Sequence, residues 1–172
     1  MLDRRSALAS ATTNHSKVLK LEEAPDFSLT QVAGEETAIA AIAGALPEKV
    51  GQAVAREERT IFCIGPRQFW FVGPAGDDIG AKLDGSAAVT PLSNGRTRIL
   101  IAGAPARDVL AKGLALDFHP SAFGPGTFAL AGLHHTPVLI HCIADDAFHL
   151  YAMRTFAMSV WDWLRDAAQE FT

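Results

Sequence analysis

Twice between residues 59 and 113, two strand-forming runs joined by a tight turn lead into a short helix, and this order constrains the fold more than any other feature of the chain. RTIFCIG and RQFWFVG flank a Gly-Pro turn, and GDDIGAKLDG follows as a short helix with acids at its N-terminal end, where the helix dipole favours them. AAVTPL and RTRILIAG flank the turn residues Ser93, Asn94 and Gly95. APARDVLAKG then has Pro105 in its first turn and Gly113 at its end, the usual placement of these two residues. Upstream, FSLTQVA is expected as a strand, and EETAIAAIAGAL as a helix with Ile39, Ile42 and Leu46 at helical spacing, ended by Pro47. Downstream, GTFALAGL, TPVLIHCIA and AFHLYAM read as three strands before a closing helix, TFAMSVWDWLRDAAQ. Strands joined by short turns pair antiparallel, so the expected class is α+β: a mainly antiparallel sheet with helices packed on it.

Residues 1–24 are polar, small and poor in aromatics, and are expected as an N-terminal tail; residues 25–172 are expected as a single α+β domain. A length of 172 residues, 49% hydrophobic and 20% charged, is enough for one sizeable core. The net charge of -4, without a block of Lys or Arg, gives no electrostatic footprint for nucleic acid or an anionic membrane. The N-terminal MLDRRSALASATTNHSK fails as a secretory signal, and no run of 18 apolar residues exists to span a bilayer, so the expected location is cytoplasmic. Cys63 and Cys142 lie inside apolar runs with no CxxC spacing, and read as buried free thiols.

Three places in the chain invite a chemical reading. In KGLALDFHPSAFGPG, Asp117, His119 and Pro120 stand within four positions; an Asp-x-His pair can orient an imidazole for base catalysis, but no G-x-S-x-G elbow supplies a nucleophile. Local bonding of Asp and His in a turn makes this loop a structural corner, with no catalytic residue assigned. His119, His134, His135, His141 and His149 fall within 31 residues, yet their spacing does not force convergence, and no metal ligands are assigned. GPAGDDIG and GAPARDVLAKG lack both the dinucleotide fingerprint and the P-loop Lys-Ser/Thr, so no cofactor-binding residue is assigned either. On the last helix, with Thr155 as N-cap, Phe156, Val160, Trp163, Leu164 and Ala167 form the expected core stripe. Met158, Trp161 and Arg165 form a second strip, of residue types enriched at protein interfaces, and are the expected partner contact.

Read together, RTRILIAGAPARDVLAKGLALDFHPSAFGPGTFALAGL, TPVLIHCI and FHLYAMRTFAMSVWDWLRDAA, with RRSALA near the start and GPRQFWFVGP in mid-chain, closely resemble the gamma subunit of heterotetrameric sarcosine oxidase. The resemblance covers nearly the whole chain. It implies an α+β, ferredoxin-like core similar to the folate-binding domain of the glycine cleavage aminomethyltransferase. It also implies membership of an oxidoreductase complex that demethylates sarcosine to glycine, with alpha, beta and delta subunits as partners. In that family the flavins (FAD and FMN), NAD, zinc and tetrahydrofolate belong to the complex, and none is expected on this chain. The G-Y-T-G-E stretch of the folate-binding relatives is absent here. The resemblance therefore implies a non-catalytic subunit, with a homodimer of the isolated chain left open. The alternative reading is a stand-alone folate-binding or one-carbon-transfer protein. Its pocket would lie near His119 and His141, with Arg107, Asp108 and Arg154 as the charged groups.

Overall fold

The computed structural model describes residues 5–11, 14–16 and 18–171. Its strands are β1 (Asn14–His15), β2 (Lys20–Glu23), β3 (Ser28–Ala33), β4 (Ala53–Arg56), β5 (Arg59–Gly65), β6 (Gln68–Gly73), β7 (Ala88–Pro91), β8 (Arg96–Ala102), β9 (Phe128–Leu133), β10 (Thr136–Ala144) and β11 (Ala147–Met153). Its helices are α1 (Glu36–Ala43), α2 (Ile79–Leu83), α3 (Ala106–Ala111) and α4 (Ala157–Ala167). The chain divides into two compact units: Met1–Pro25 with Gly95–Pro125 and Ala129–Thr172, and Asp26–Asn94 with Gly126–Phe128. Every strand pair with a described register is antiparallel.

In the unit of Asp26–Asn94 the strand order is β4-β5-β6-β3-β7. With α1 after β3 and α2 after β6, the strands β3, β5, β6 and β7 and the two helices make one ferredoxin-like βαββαβ unit, to which β4 adds an edge. The β5–β6 hairpin closes over Pro66 and Arg67, with Arg67 at φ 55°. Ile61, Cys63, Phe69 and Phe71 alternate along these two strands and pack with Ile39 of α1 and with Ile79 and Leu83 of α2. Burying each large side chain of this set stabilises the unit by about 1.5–3 kcal/mol. The helix α1 stops before its expected end. Gly44, at φ 82°, caps it by donating its N–H to the Ala40 carbonyl, so Pro47 lies beyond the helix and Ile42 remains 41% exposed.

In the other unit the order is β1-β2-β8-β11-β10-β9. Here β8, β10, β11 and β2 occupy the four ferredoxin-like places, but the strand that would follow α4 comes from the N-terminal side of the chain. Composition alone points to a tail before residue 25. Instead, Lys20–Glu23 pairs with Ile99–Ala102, and Leu8, Leu19 and Leu21 are buried in this unit's core. Four residues reading KLEE carry little strand signal of their own; the backbone ladder to β8 and two inward leucines at 19 and 21 provide the reason for the strand. Residues 1–4, 12, 13 and 17 of that segment lie outside the described residues. Along β8, Thr97, Ile99 and Ile101 are buried and alternate with half-buried Arg96, Arg98 and Leu100, the period-two signature of a strand with two different faces. The helices α3 and α4 cover the face carrying Ile99, Ile101, Val138, Ile140, Cys142, Phe148 and Leu150.

Candidate functional site

The segment after α3 is held from below by one arginine. Arg107 stands in the first turn of α3, where the helix dipole disfavours a cation, and its charge is engaged elsewhere. Its Nη1 donates to the carbonyls of Phe118 (2.6 Å) and Phe123 (2.9 Å), and its Nε donates to the carbonyl of Asp145 (2.8 Å). The guanidinium also lies 5.1 Å from the Phe148 ring centre and 3.9 Å from the Asp146 carboxylate. Phe118 and Phe123 then turn inward, with ring centres 6.0 and 6.4 Å from Phe148. The loop is thus pinned by two carbonyls on a half-buried cation and by two phenylalanines in the core.

The polar residues of the loop bond to the loop itself. Asp117 Oδ1 accepts the His119 N–H at 2.9 Å. The Ser121 hydroxyl lies 2.7 Å from His119 Nδ1, and the Ser121 N–H donates to the same nitrogen at 3.3 Å. The His119 carbonyl accepts the amides of Ala122 and Phe123. Asp117, His119 and Pro120 lie on an Asx-type turn, and all three are exposed. Asp117 therefore bonds the backbone amide of His119 rather than its imidazole, and no carboxylate orients that ring as a triad would require.

The structure scatters the histidines. His134, at φ 52°, sits in the two-residue turn between β9 and β10, with its ring 5.4 Å from Trp163. His141 and His149 face one another across β10 and β11. They point off the sheet face opposite the helices, since their neighbours Ile140, Cys142, Phe148 and Leu150 point into the helix-side core. Burial pulls both imidazoles down from 6.5 to about 4; for His149 the Arg98 and His141 charges act in the same direction. His119 belongs to a loop packed on the helix side through Phe118, so the histidines of the folate alternative are not brought together. Its cations are also engaged: Arg107 as above, and Arg154 donating to the Arg5 carbonyl. Among the described residues no group of three or more His, Cys, Asp or Glu stands close enough to hold a metal ion. Cys63 and Cys142 are buried free thiols, both shifted upward mainly by burial.

The second polar cluster is an ion pair. Arg59 meets Asp77 through Nε (2.5 Å) and Nη2 (2.7 Å), and Asp77 Oδ1 also accepts the Ile79 N–H at 3.0 Å. Burial alone would raise the Asp77 carboxyl, but the Arg59 and Ile79 hydrogen bonds outweigh it and hold the group below its usual range. The acids before α2 thus serve an arginine and a capping amide, as well as the dipole.

The partner strip expected on the last helix is corrected by the structure. Trp161 is only 1% exposed and lies in the core with Ala157, Val160, Leu164 and Ala168. Met158 is half-buried against that core, and Arg165 is exposed, 3.4 Å from Asp162. Phe156, expected inside, is 42% exposed, and Trp163 and Ala167 are half-buried. The cause is local: Arg154–Phe156 form a 3₁₀ turn, α4 begins at Ala157 without a Thr155 cap, and the inward stripe follows from that start. Trp163 packs on the end of α3, where a Cβ on Gly113 would come 2.4 Å from its ring carbons. Gly113 is therefore required by close approach, since its φ is not in the left-handed region.

The sequence from residue 11 to residue 170 matches the family model described as sarcosine oxidase, gamma subunit family. No curated protein sequence matches the chain. Among solved structures, a chain of heterotetrameric sarcosine oxidase from Corynebacterium sp. U-96, in complex with pyrrole 2-carboxylate, superposes with a TM-score of 0.88 at 24% identity, over 98% of this chain and 96% of that one. Glycine cleavage system aminomethyltransferase T from Bartonella henselae superposes with a TM-score of 0.65 at 17% identity, over 86% of this chain and 45% of that one. Both are likenesses of fold. They agree with the α+β class of two antiparallel sheets and few helices. With the family model matched along nearly the whole length, the chain belongs to the sarcosine oxidase, gamma subunit family.

Proposed function

We propose that this chain works as a non-catalytic gamma subunit in a cytoplasmic heterotetrameric sarcosine oxidase, where alpha, beta and delta subunits carry the flavins, NAD, zinc and folate. The observation that carries this reading is the family match over residues 11–170. The state of the polar groups supports the non-catalytic part. Arg107 is bonded to three carbonyls, Asp117 and His119 to their own turn, and Arg59 to Asp77. These groups are engaged in holding backbone or a neighbouring charge rather than turned toward a common cleft. The complex would oxidise the N-methyl group of sarcosine, and this subunit would contribute surface to its assembly. No helix of the described residues is long and apolar enough to cross a membrane. Affinity purification of the tagged chain from its native cells, with an assay of the eluate for sarcosine-dependent peroxide, tests the reading. Co-purification of flavin-bearing chains with that activity is the expected result; a single chain that retains folate would overturn it.

A further inference from the structure

The four sheet edges among the described residues differ in how they are protected. β1 is two residues long, β4 (AVAR) ends in Arg56, and β7 (AVTP) ends in Pro91. Shortness, charge and proline are the devices by which edge strands avoid pairing with other chains. β9, the last strand of the six-stranded sheet, has none of them: it reads FALAGL, six residues with no charge and no proline. Apolar surface flanks this edge on both faces. Ala129, Ala131 and Leu133 pack toward the helices, so Leu130 points to the opposite face, where it is 55% exposed. Ile143 of β10, at that strand's register irregularity, is also 38% exposed. On the helix side, a groove of about 300 Å³ lies at the end of β9, between Leu133, Thr136, Val160 and Trp163.

We propose that the outer edge of β9 receives an extended, uncharged strand of another subunit, a proposal that rests on the gamma-subunit reading. An edge strand offers N–H and C=O groups at a spacing of about 3.4 Å per residue, and an extended backbone is the chemistry that matches them. Alternate side chains of that strand are large and apolar, one set over Leu130, the other reaching the Val160–Trp163 groove. A second copy of β9 fits less well. Antiparallel self-pairing that keeps both helix layers on one side centres on Leu130 or Ala131. It then sets Thr127 or Ala129 opposite Leu133, and both are too short to fill the groove.

The test uses the whole complex, co-expressed with this chain tagged. Leu130→Lys places a charge on the edge, and Ser159→Phe fills the groove from an exposed position on α4. Each variant is expected to lower recovery of flavin-bearing chains about tenfold or more, while the isolated chain melts as wild type. Backbone amides of residues 128–133 are expected to exchange more slowly in the complex than in the isolated chain. Wild-type recovery with both variants, or unchanged exchange, overturns the proposal. If Leu130→Lys leaves the complex intact but converts a dimeric isolated chain to a monomer by sedimentation, the edge belongs to a second copy and the partner-strand assignment is wrong. If the wild-type chain itself brings down no flavin-bearing protein, the gamma-subunit reading fails first and takes this proposal with it.

Discussion

Lowering the pH from 7.5 to 4.5 should destabilise this protein through two histidines. His141 and His149 are cross-strand partners, and burial holds both folded imidazoles at about 4 against 6.5 for the free side chain. Below 6.5 the unfolded chain takes up a proton at each ring while the folded chain does not, so stability rises with pH across this window and is lost as pH falls through it. A pKa lowered by one pH unit corresponds to about 1.4 kcal/mol, so one ring accounts for about 3 kcal/mol by pH 4, and two rings give a limiting slope of about 2.7 kcal/mol per pH unit. A loss of this size is comparable to the whole stability of many domains, about 5–15 kcal/mol. Asp77 does not interfere, because its depressed carboxyl supplies stability above 3.8 and loses it only at lower pH. Urea denaturation at half-unit steps of pH, at constant ionic strength, measures the slope. His149→Leu should roughly halve it between 6 and 4.5, and the double variant with His141→Leu should leave it nearly flat. An acid limb equally steep in wild type and double variant would show that the rings do not control acid unfolding.

Arg107→Met removes the cation shared by the Phe118, Phe123 and Asp145 carbonyls, and should cost about 3–5 kcal/mol, with faster proteolysis within residues 112–126; cleavage at the wild-type rate would contradict the anchoring role. Gly113→Ala pushes a methyl against the Trp163 ring and should destabilise by about 1–3 kcal/mol; an unchanged melting temperature would show that the ring moves aside freely. Arg59→Met leaves the Asp77 carboxylate, 1% exposed, without its cation, and should cost about 3–5 kcal/mol, whereas Arg59→Met with Asp77→Leu should recover much of that loss. Equal stability of the single and double variants, by urea midpoint, would count against the pair.

The elements were largely legible because their signals are local. RTIFCIG, RQFWFVG, RTRILIAG and the strands after residue 126 carry β-branched and aromatic residues bounded by Gly, Pro, Asn or Asp, and Pro105 marks the start of α3 through its own backbone preference. The resemblance to the gamma subunits was legible for the same reason, since it rests on contiguous residues that need no partner to be read.

Tertiary structure decided whatever depends on phase or on distant pairing. Trp161 and Trp163 are two positions apart, so they point to nearly opposite sides of α4, and a periodic pattern with two tryptophans admits either phase. The helix start at Ala157 and the open space left by Gly113 settle the matter, with Trp161 inside and Trp163 on α3. KLEE at residues 20–23 becomes a strand through a ladder to residues 99–102, nearly eighty positions away, and no local window contains that information. Asp117 and His119 could be recognised from sequence as turn residues, but the arginine that pins their loop could not be, because its acceptors are backbone carbonyls, which every residue carries. The sequence by itself therefore determined the four helices, the strands other than β1, β2 and β4, and which family the chain resembles. The fold alone determined which side chains face one another, because facing is set by register and by long-range contact, and neither is written into any short stretch of chain.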